Sequence, residues 1–191
     1  MTNIFLVGPM GSGKSTVGRA LARRIGFRFL DSDREIESRC GVDIPTIFDY
    51  EGEAGFRDRE QRIINELTAI PGIVLATGGG SILREANRTV LTQRGYVILL
   101  KVEIAEQLRR VAFDSNRPLL KTENPEARLK ALMLEREPIY QAVAHAQVST
   151  DSRRMYHVVG RILRLLKNEG VCLENSKTLP ASSENPSQQS L

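Results

Sequence analysis

The stretch GPMGSGKST, residues 8–16, constrains this chain more than any other. It fits G-x-x-x-x-G-K-[ST], with Gly8, Gly13, Lys14 and Ser15 in the fixed places. An apolar run, residues 4–7, leads in, and an amphipathic run, residues 17–25, leads out. The local reading is therefore strand, glycine loop, helix. Glycines let successive backbone N–H groups turn toward phosphate oxygens, and the helix N-terminus adds the positive end of its dipole. Lys14 can reach β- and γ-phosphates, and the Ser15 hydroxyl can ligate Mg²⁺. Gly11, Ser12, Gly13, Lys14, Ser15 and Thr16 are the expected nucleotide-binding residues. Alone, the loop names a donor of phosphate and no acceptor.

The rest of the chain supplies a sheet behind such a loop. Short apolar runs at 4–7, 27–30, 73–76 and 96–102 read as strands, with a short fifth at 146–149. Helical spacing is expected over 14–25, 33–40, 44–69 with a break near Gly52, 86–93, 104–113, 125–136 and 155–167. Pro138 marks a place where the helix before it must end or kink. Strands alternating with helices predict an α/β fold, a five-stranded parallel sheet covered on both faces. At 191 residues one domain is expected, spanning 1–170. Residues 171–191 carry five Ser, two Pro and no aromatic residue, and read as a disordered tail.

Composition excludes several classes. No apolar run approaches the roughly 20 residues of a membrane span, and the first residues lack the pattern of a signal peptide. Cys40 and Cys172 form neither a CxxC pair nor a ligand set with histidine, so reduced thiols in a cytoplasmic protein are expected. The formal charge is +4, mostly from Arg, but no dense basic block with interleaved aromatics supports nucleic-acid binding.

Four further stretches carry chemistry. Asp31 and Asp33 follow the second strand, beyond the strand ends where ligands sit in open parallel sheets. Two apart, they would point the same way in extended chain. One could support Mg²⁺ through water while the other takes a proton from an acceptor hydroxyl; alternatively either caps the next helix. Glu53, Arg57 and Glu60 fall on one helical face. They form either a solvated ladder of ion pairs or a buried acid that fixes Arg57 toward a substrate carboxylate. Gly78, Gly79 and Gly80 follow the third strand, a turn easier to explain if a ligand approaches the backbone, or else a plain loop. Arg117 lies in a segment without periodicity, either on a lid that closes over phosphate or as an exposed loop residue. Arg109, Arg110, Arg136, Arg153 and Arg154 are surface charges by default.

Taken in order, GPMGSGKST, DSD, GEAGFRDRE, ATGGGS, RPLL and EREPIY resemble the shikimate kinases, P-loop enzymes of the nucleoside-monophosphate-kinase group. The resemblance runs from residue 4 to about 168. It implies a P-loop three-layer fold with a substrate-binding helical insert at about 33–69 and a lid at about 113–124. It implies transfer of the ATP γ-phosphate to the 3-hydroxyl of shikimate, in aromatic amino-acid biosynthesis. Asp33 would meet that hydroxyl as base or orienter, and Arg57 and Arg136 would clamp the carboxylate, with Gly78, Gly79 and Gly80 lining the acceptor. Lys14 and Arg117 would stabilise the transferring group. Ser15, with Asp31 through water, would hold Mg²⁺, and Arg110 and Arg153 would border the adenine. A monomer is expected, with ATP and shikimate as its partners and no membrane or nucleic acid. Two other readings stand beside this one: a related kinase of another polyhydroxy acid such as gluconate, and a non-catalytic nucleotide-binding regulator. No NKxD segment reads guanine, and Lys14, Asp33 and Arg117 are all present.

Overall fold

A computed structural model describes residues 1–111, 124–150 and 155–173. Five parallel strands form one sheet in the order β2-β3-β1-β4-β5. They are β1 (Asn3–Val7), β2 (Arg28–Asp31), β3 (Ile73–Ala76), β4 (Gly95–Lys101) and β5 (Ala146–Ser149). The helices are α1 (Lys14–Ile25), α2 (Ser32–Cys40), α3 (Ile44–Thr68), α4 (Glu85–Arg94), α5 (Ile104–Val111), α6 (Pro125–Val143) and α7 (Met155–Asn168). A single 3₁₀ turn, Ser81–Leu83, follows β3.

The sheet is sandwiched because its strands are apolar on both sides. All of β1 is buried. Phe5 and Val7 face a core with Ile36, Ile64, Leu91 and Tyr140, while Ile4 and Leu6 face a second with Val17, Leu21 and Ile162. Continuous apolar strands of this kind are what a parallel sheet with helices on both faces requires. β1 lies between β3 and β4, so the loop that leaves it emerges near the middle of the sheet's carboxyl edge.

Three expectations are corrected. The helix predicted to end near residue 136 runs on to Val143, through Pro138. Proline 138 cannot bond the carbonyl of Leu134, but Leu134 is 83% exposed, so water is at hand for that oxygen. Tyr140 and Val143, one turn beyond, are buried in the core and hold the helix on course. The boundary after Gly170 falls short, because Val171 and Leu173 pack against the second core and the Thr2 amide donates to the Cys172 carbonyl at 2.9 Å. Finally, Asp31 and Asp33 are not neighbours on an extended strand. Helix α2 begins at Ser32, so Asp31 is its N-cap and Asp33 lies in its first turn. The break at Gly52 is present, with φ 68° inside α3.

Candidate active site

The donor side is made mostly of backbone. Gly8, Gly11 and Gly13 have φ of 141°, 73° and 87°, conformations that side chains rarely adopt. Lys14 Nζ donates to the carbonyls of Gly8 and Pro9, both at 2.8 Å, and so lies across the loop it leaves. The Ser15 hydroxyl donates to Asp31 Oδ2 at 2.6 Å. Asp31 Oδ1 meanwhile accepts from the amides of Asp33 and Arg34 and caps α2. Capping and a role beside the phosphates, alternatives in the sequence, are therefore both available to the one carboxylate. The pair offers hard oxygen donors beside the phosphate loop. That suits Mg²⁺, which keeps most of its water and takes few protein ligands. Among the described residues no group of three or more His, Cys, Asp or Glu could cage a metal.

Arg110 is turned toward the same loop. Its Nε donates to Glu106 at 2.8 Å, and its other nitrogens reach the carbonyls of Gly11 at 3.0 Å and Thr150 at 2.7 Å. It borders a cavity of about 640 Å³, lined also by Ser12, Gly13, Thr16, Thr150 and Val158. Arg109 instead projects outward and pairs with Glu106. Arg117 and Arg153, the expected lid and adenine residues, lie outside the described residues, as do 112–123, 151–154 and 174–191.

The acceptor side is made of side chains converging on the glycine turn. None of Gly78, Gly79 and Gly80 has a positive φ, so conformational freedom does not explain them. Room does. A Cβ on Gly78 would stand 2.6 Å from Asp33 Oδ1 and 2.7 Å from Glu60 Oε1; one on Gly80 would stand 2.6 Å from Arg57 Cζ. The close approach expected of a ligand is made by the protein's own charged groups. The Gly78 amide donates to the buried Ser32 hydroxyl at 3.0 Å, which ties the turn to the start of α2.

Arg57 is 8% exposed and Glu60 0%, so the ladder reading fails for this pair. Arg57 donates to Glu60 Oε2 at 2.7 Å and to the exposed Glu53 at 3.0 Å. Burial works against the Arg57 charge, but Glu60 and Glu53 outweigh it and hold the guanidinium above its ordinary pKa. Burial pushes the Glu60 carboxyl up to about 7, with Arg57 opposing and the nearby Asp33 charge adding to the rise. Arg136, from α6, is 6% exposed. Among the described residues it makes no ion pair and its Nε has no partner; its polar contacts are with the Tyr140 hydroxyl and, at 3.5 Å, the Gly79 carbonyl. A buried cation in that condition is poised for an anion. The two halves meet at Gly79, whose Cβ position lies 3.4 Å from the Met10 amide nitrogen.

The structure thus gathers Asp33, Arg57, Gly78–Gly80 and Arg136 in one place, beside Lys14, Ser15 and Asp31. Sequence reasoning passed over Ser32, Tyr140 and Thr150 as site residues. Glu60 entered it in one of two readings, as a buried acid that fixes Arg57, and its burial agrees with that one. Tyr140 stands one turn after Arg136, a spacing that shares a face. Nothing local marks Thr150, which meets Arg110 only through the fold.

Comparison with known proteins gives the family and the fold. The family model for shikimate kinase matches residues 10–167. A shikimate kinase of Pseudomonas putida is 56% identical over 167 residues, covering 87% of this chain and 97% of that protein. The solved structure of a shikimate kinase from Acinetobacter baumannii in complex with shikimate superposes with a TM-score of 0.87. It is 48% identical, covering 90% of this chain and 96% of that one. A gluconokinase from Sinorhizobium meliloti, 16% identical over 88% of this chain and 95% of its own, has a TM-score of 0.52 and shares the fold alone.

Proposed function

The chain belongs to the shikimate kinase family, and from that premise we propose that its site moves the γ-phosphate of ATP to the 3-hydroxyl of shikimate. The products are shikimate 3-phosphate and ADP. The observation that carries the reading is Arg136: a buried guanidinium with no ion pair among the described residues, beside the fixed fork of Arg57. Two such groups suit one carboxylate, because a planar fork binds its oxygens in pairs.

The division of labour follows the two halves. Arg57 and Arg136 hold the ring carboxylate. Asp33, at the Gly78 turn, accepts a hydrogen bond from the acceptor hydroxyl and takes its proton as the new O–P bond forms. The bond between the γ-phosphorus and its bridging oxygen breaks, and ADP leaves with the electron pair. The backbone of residues 11–16 cradles the phosphates. Lys14 exchanges the Gly8 and Pro9 carbonyls for phosphate oxygens and stabilises the charge on the group in transit. Ser15, with Asp31 through water, would hold Mg²⁺, which would supply charge neutralisation at the phosphates. Arg110 borders the adenine. Arg117 and Arg153 keep the roles that the family's motif implies for them, beside the transferring group and the adenine.

The catalytic unit is one domain, which packing extends to Leu173, working as a cytoplasmic monomer; both cysteines are free thiols, in keeping with that compartment. A coupled ADP-release assay with ATP, Mg²⁺ and a panel of polyhydroxy acids tests the reading. Turnover with shikimate and not with gluconate is the expected result. The opposite order would pass the site to a different acceptor, and binding of ATP without turnover of any acid would leave a regulator.

A further inference from the structure

Tyr140 is buried at 1% exposure, yet its hydroxyl is not idle. It donates to the carbonyl of Gly79, the middle residue of the glycine turn. Arg136, one helical turn earlier on α6, hydrogen-bonds the same hydroxyl and makes a long contact to the same carbonyl oxygen. The 79–80 peptide is trans, so its N–H points opposite to its C=O. With the carbonyl drawn toward α6, the Gly80 amide is turned away from that helix. Gly80 itself is buried and packs directly on the Arg57 guanidinium. Among the described residues, neither the Gly79 nor the Gly80 amide donates a hydrogen bond within the protein, whereas those of Gly78 and Ser81 do. A buried amide without a partner is costly unless a ligand oxygen meets it.

We propose that Tyr140 is a positioning residue for the acceptor: by holding the Gly79 carbonyl it aims the Gly80 amide into the pocket beside Arg57. This rests on reading that pocket as the acceptor side. Burial pushes the Tyr140 hydroxyl above its ordinary pKa, so it remains a proton donor across the working range. The aim it sets is therefore independent of pH. The same helix delivers Arg136, so α6 contributes one direct contact and one indirect one, in a fixed relation.

Tyr140→Phe removes one oxygen and keeps the ring that the core needs. Losing a neutral hydrogen bond of this kind should raise the KM for shikimate about three- to tenfold. The KM for ATP should stay within twofold, and the pH profile should keep its shape. KM does not depend on how much enzyme is folded, so the ratio of the two values survives a loss of stability, which a thermal melt reports separately. An unchanged shikimate KM would overturn the proposal, as would an equal rise in both KM values. Arg57→Ala run alongside separates the two levels of the argument. If it raises the shikimate KM while Tyr140→Phe does not, only the role of Tyr140 falls. If neither does, the acceptor pocket itself has been misplaced.

Discussion

The phosphate loop uses nine consecutive residues and presents mainly backbone, whereas the proposed acceptor pocket touching it draws Asp33, Arg57, Gly78–Gly80 and Arg136 from separate elements and presents side chains. The first is local: three glycines with positive φ set its shape whatever lies elsewhere. The second exists only once α2, α3 and α6 pack against the end of β3. A phosphate needs many equivalent donors, which backbone supplies. A ring acid needs a few groups at fixed separations, which only tertiary structure supplies. Substitutions should divide along this line, with donor-side changes altering the rate or the metal requirement and acceptor-side changes altering KM for one substrate.

The largest effect is expected at Asp33, where the halves share the chemistry. Asp33→Asn should lower kcat by about 10²–10⁴ while ATP still binds, since general-base contributions are of that order. Near-normal turnover would take Asp33 out of the chemical step. Next comes Arg57→Ala. Steady-state kinetics should show the shikimate KM raised roughly 10- to 100-fold, about the loss of a charge-assisted bidentate contact, with the ATP KM within twofold. The same variant leaves Glu60 buried without its partner and should cost about 3 kcal/mol of stability. A rise in both KM values would mean that the two halves are not separable.

Asp31→Asn sharpens the donor side. Asparagine caps a helix as well as aspartate does, so a melt should move little. The Mg²⁺ needed for half-maximal activity should rise about tenfold, as for other groups that act on a metal through water. An unchanged Mg²⁺ titration would reduce Asp31 to a cap. The smallest effect concerns pH. Burial pushes the Glu60 carboxyl of the folded protein up to about 7, from 4.5 for an ordinary glutamate. Between those values the folded state keeps a proton that the unfolded state has lost. Stability should therefore fall as pH rises through that interval. Glu60→Gln should flatten the slope; a melt series with equal slopes in both proteins would locate the titration elsewhere.

The same division explains what could be read in advance. The five strands were legible because apolar runs bounded by turns mark buried strands without reference to partners, and the phosphate loop was legible because its function is local. The continuation of α6 past Pro138 was not, since it depends on Tyr140 and Val143 finding the core. Nor was the placing of Asp31 as a cap and Asp33 in a first turn, because helix α2 starts between them and replaces a two-residue period with a helical one. For Glu60 and Arg57, spacing alone left a solvated ladder and a buried pair as alternatives. Their burial follows from the way α3 lies over the glycine turn, which helical periodicity does not encode.

Asp31 ties the two halves together in a way that bears on manufacturing tolerance. Positional error in any assembly grows with the number of joints between the parts that must meet. Ser15 bonds Asp31, Asp31 caps α2, and Asp33 stands in the first turn of that helix. On the proposed roles, donor and acceptor chemistry are thus separated by one hydrogen bond and two residues of chain. On those roles, no further joint stands between the phosphate loop and the carboxylate of Asp33. Where a misplacement of about 1 Å can cost a hundredfold in rate, so short a path is how a small enzyme keeps its alignment.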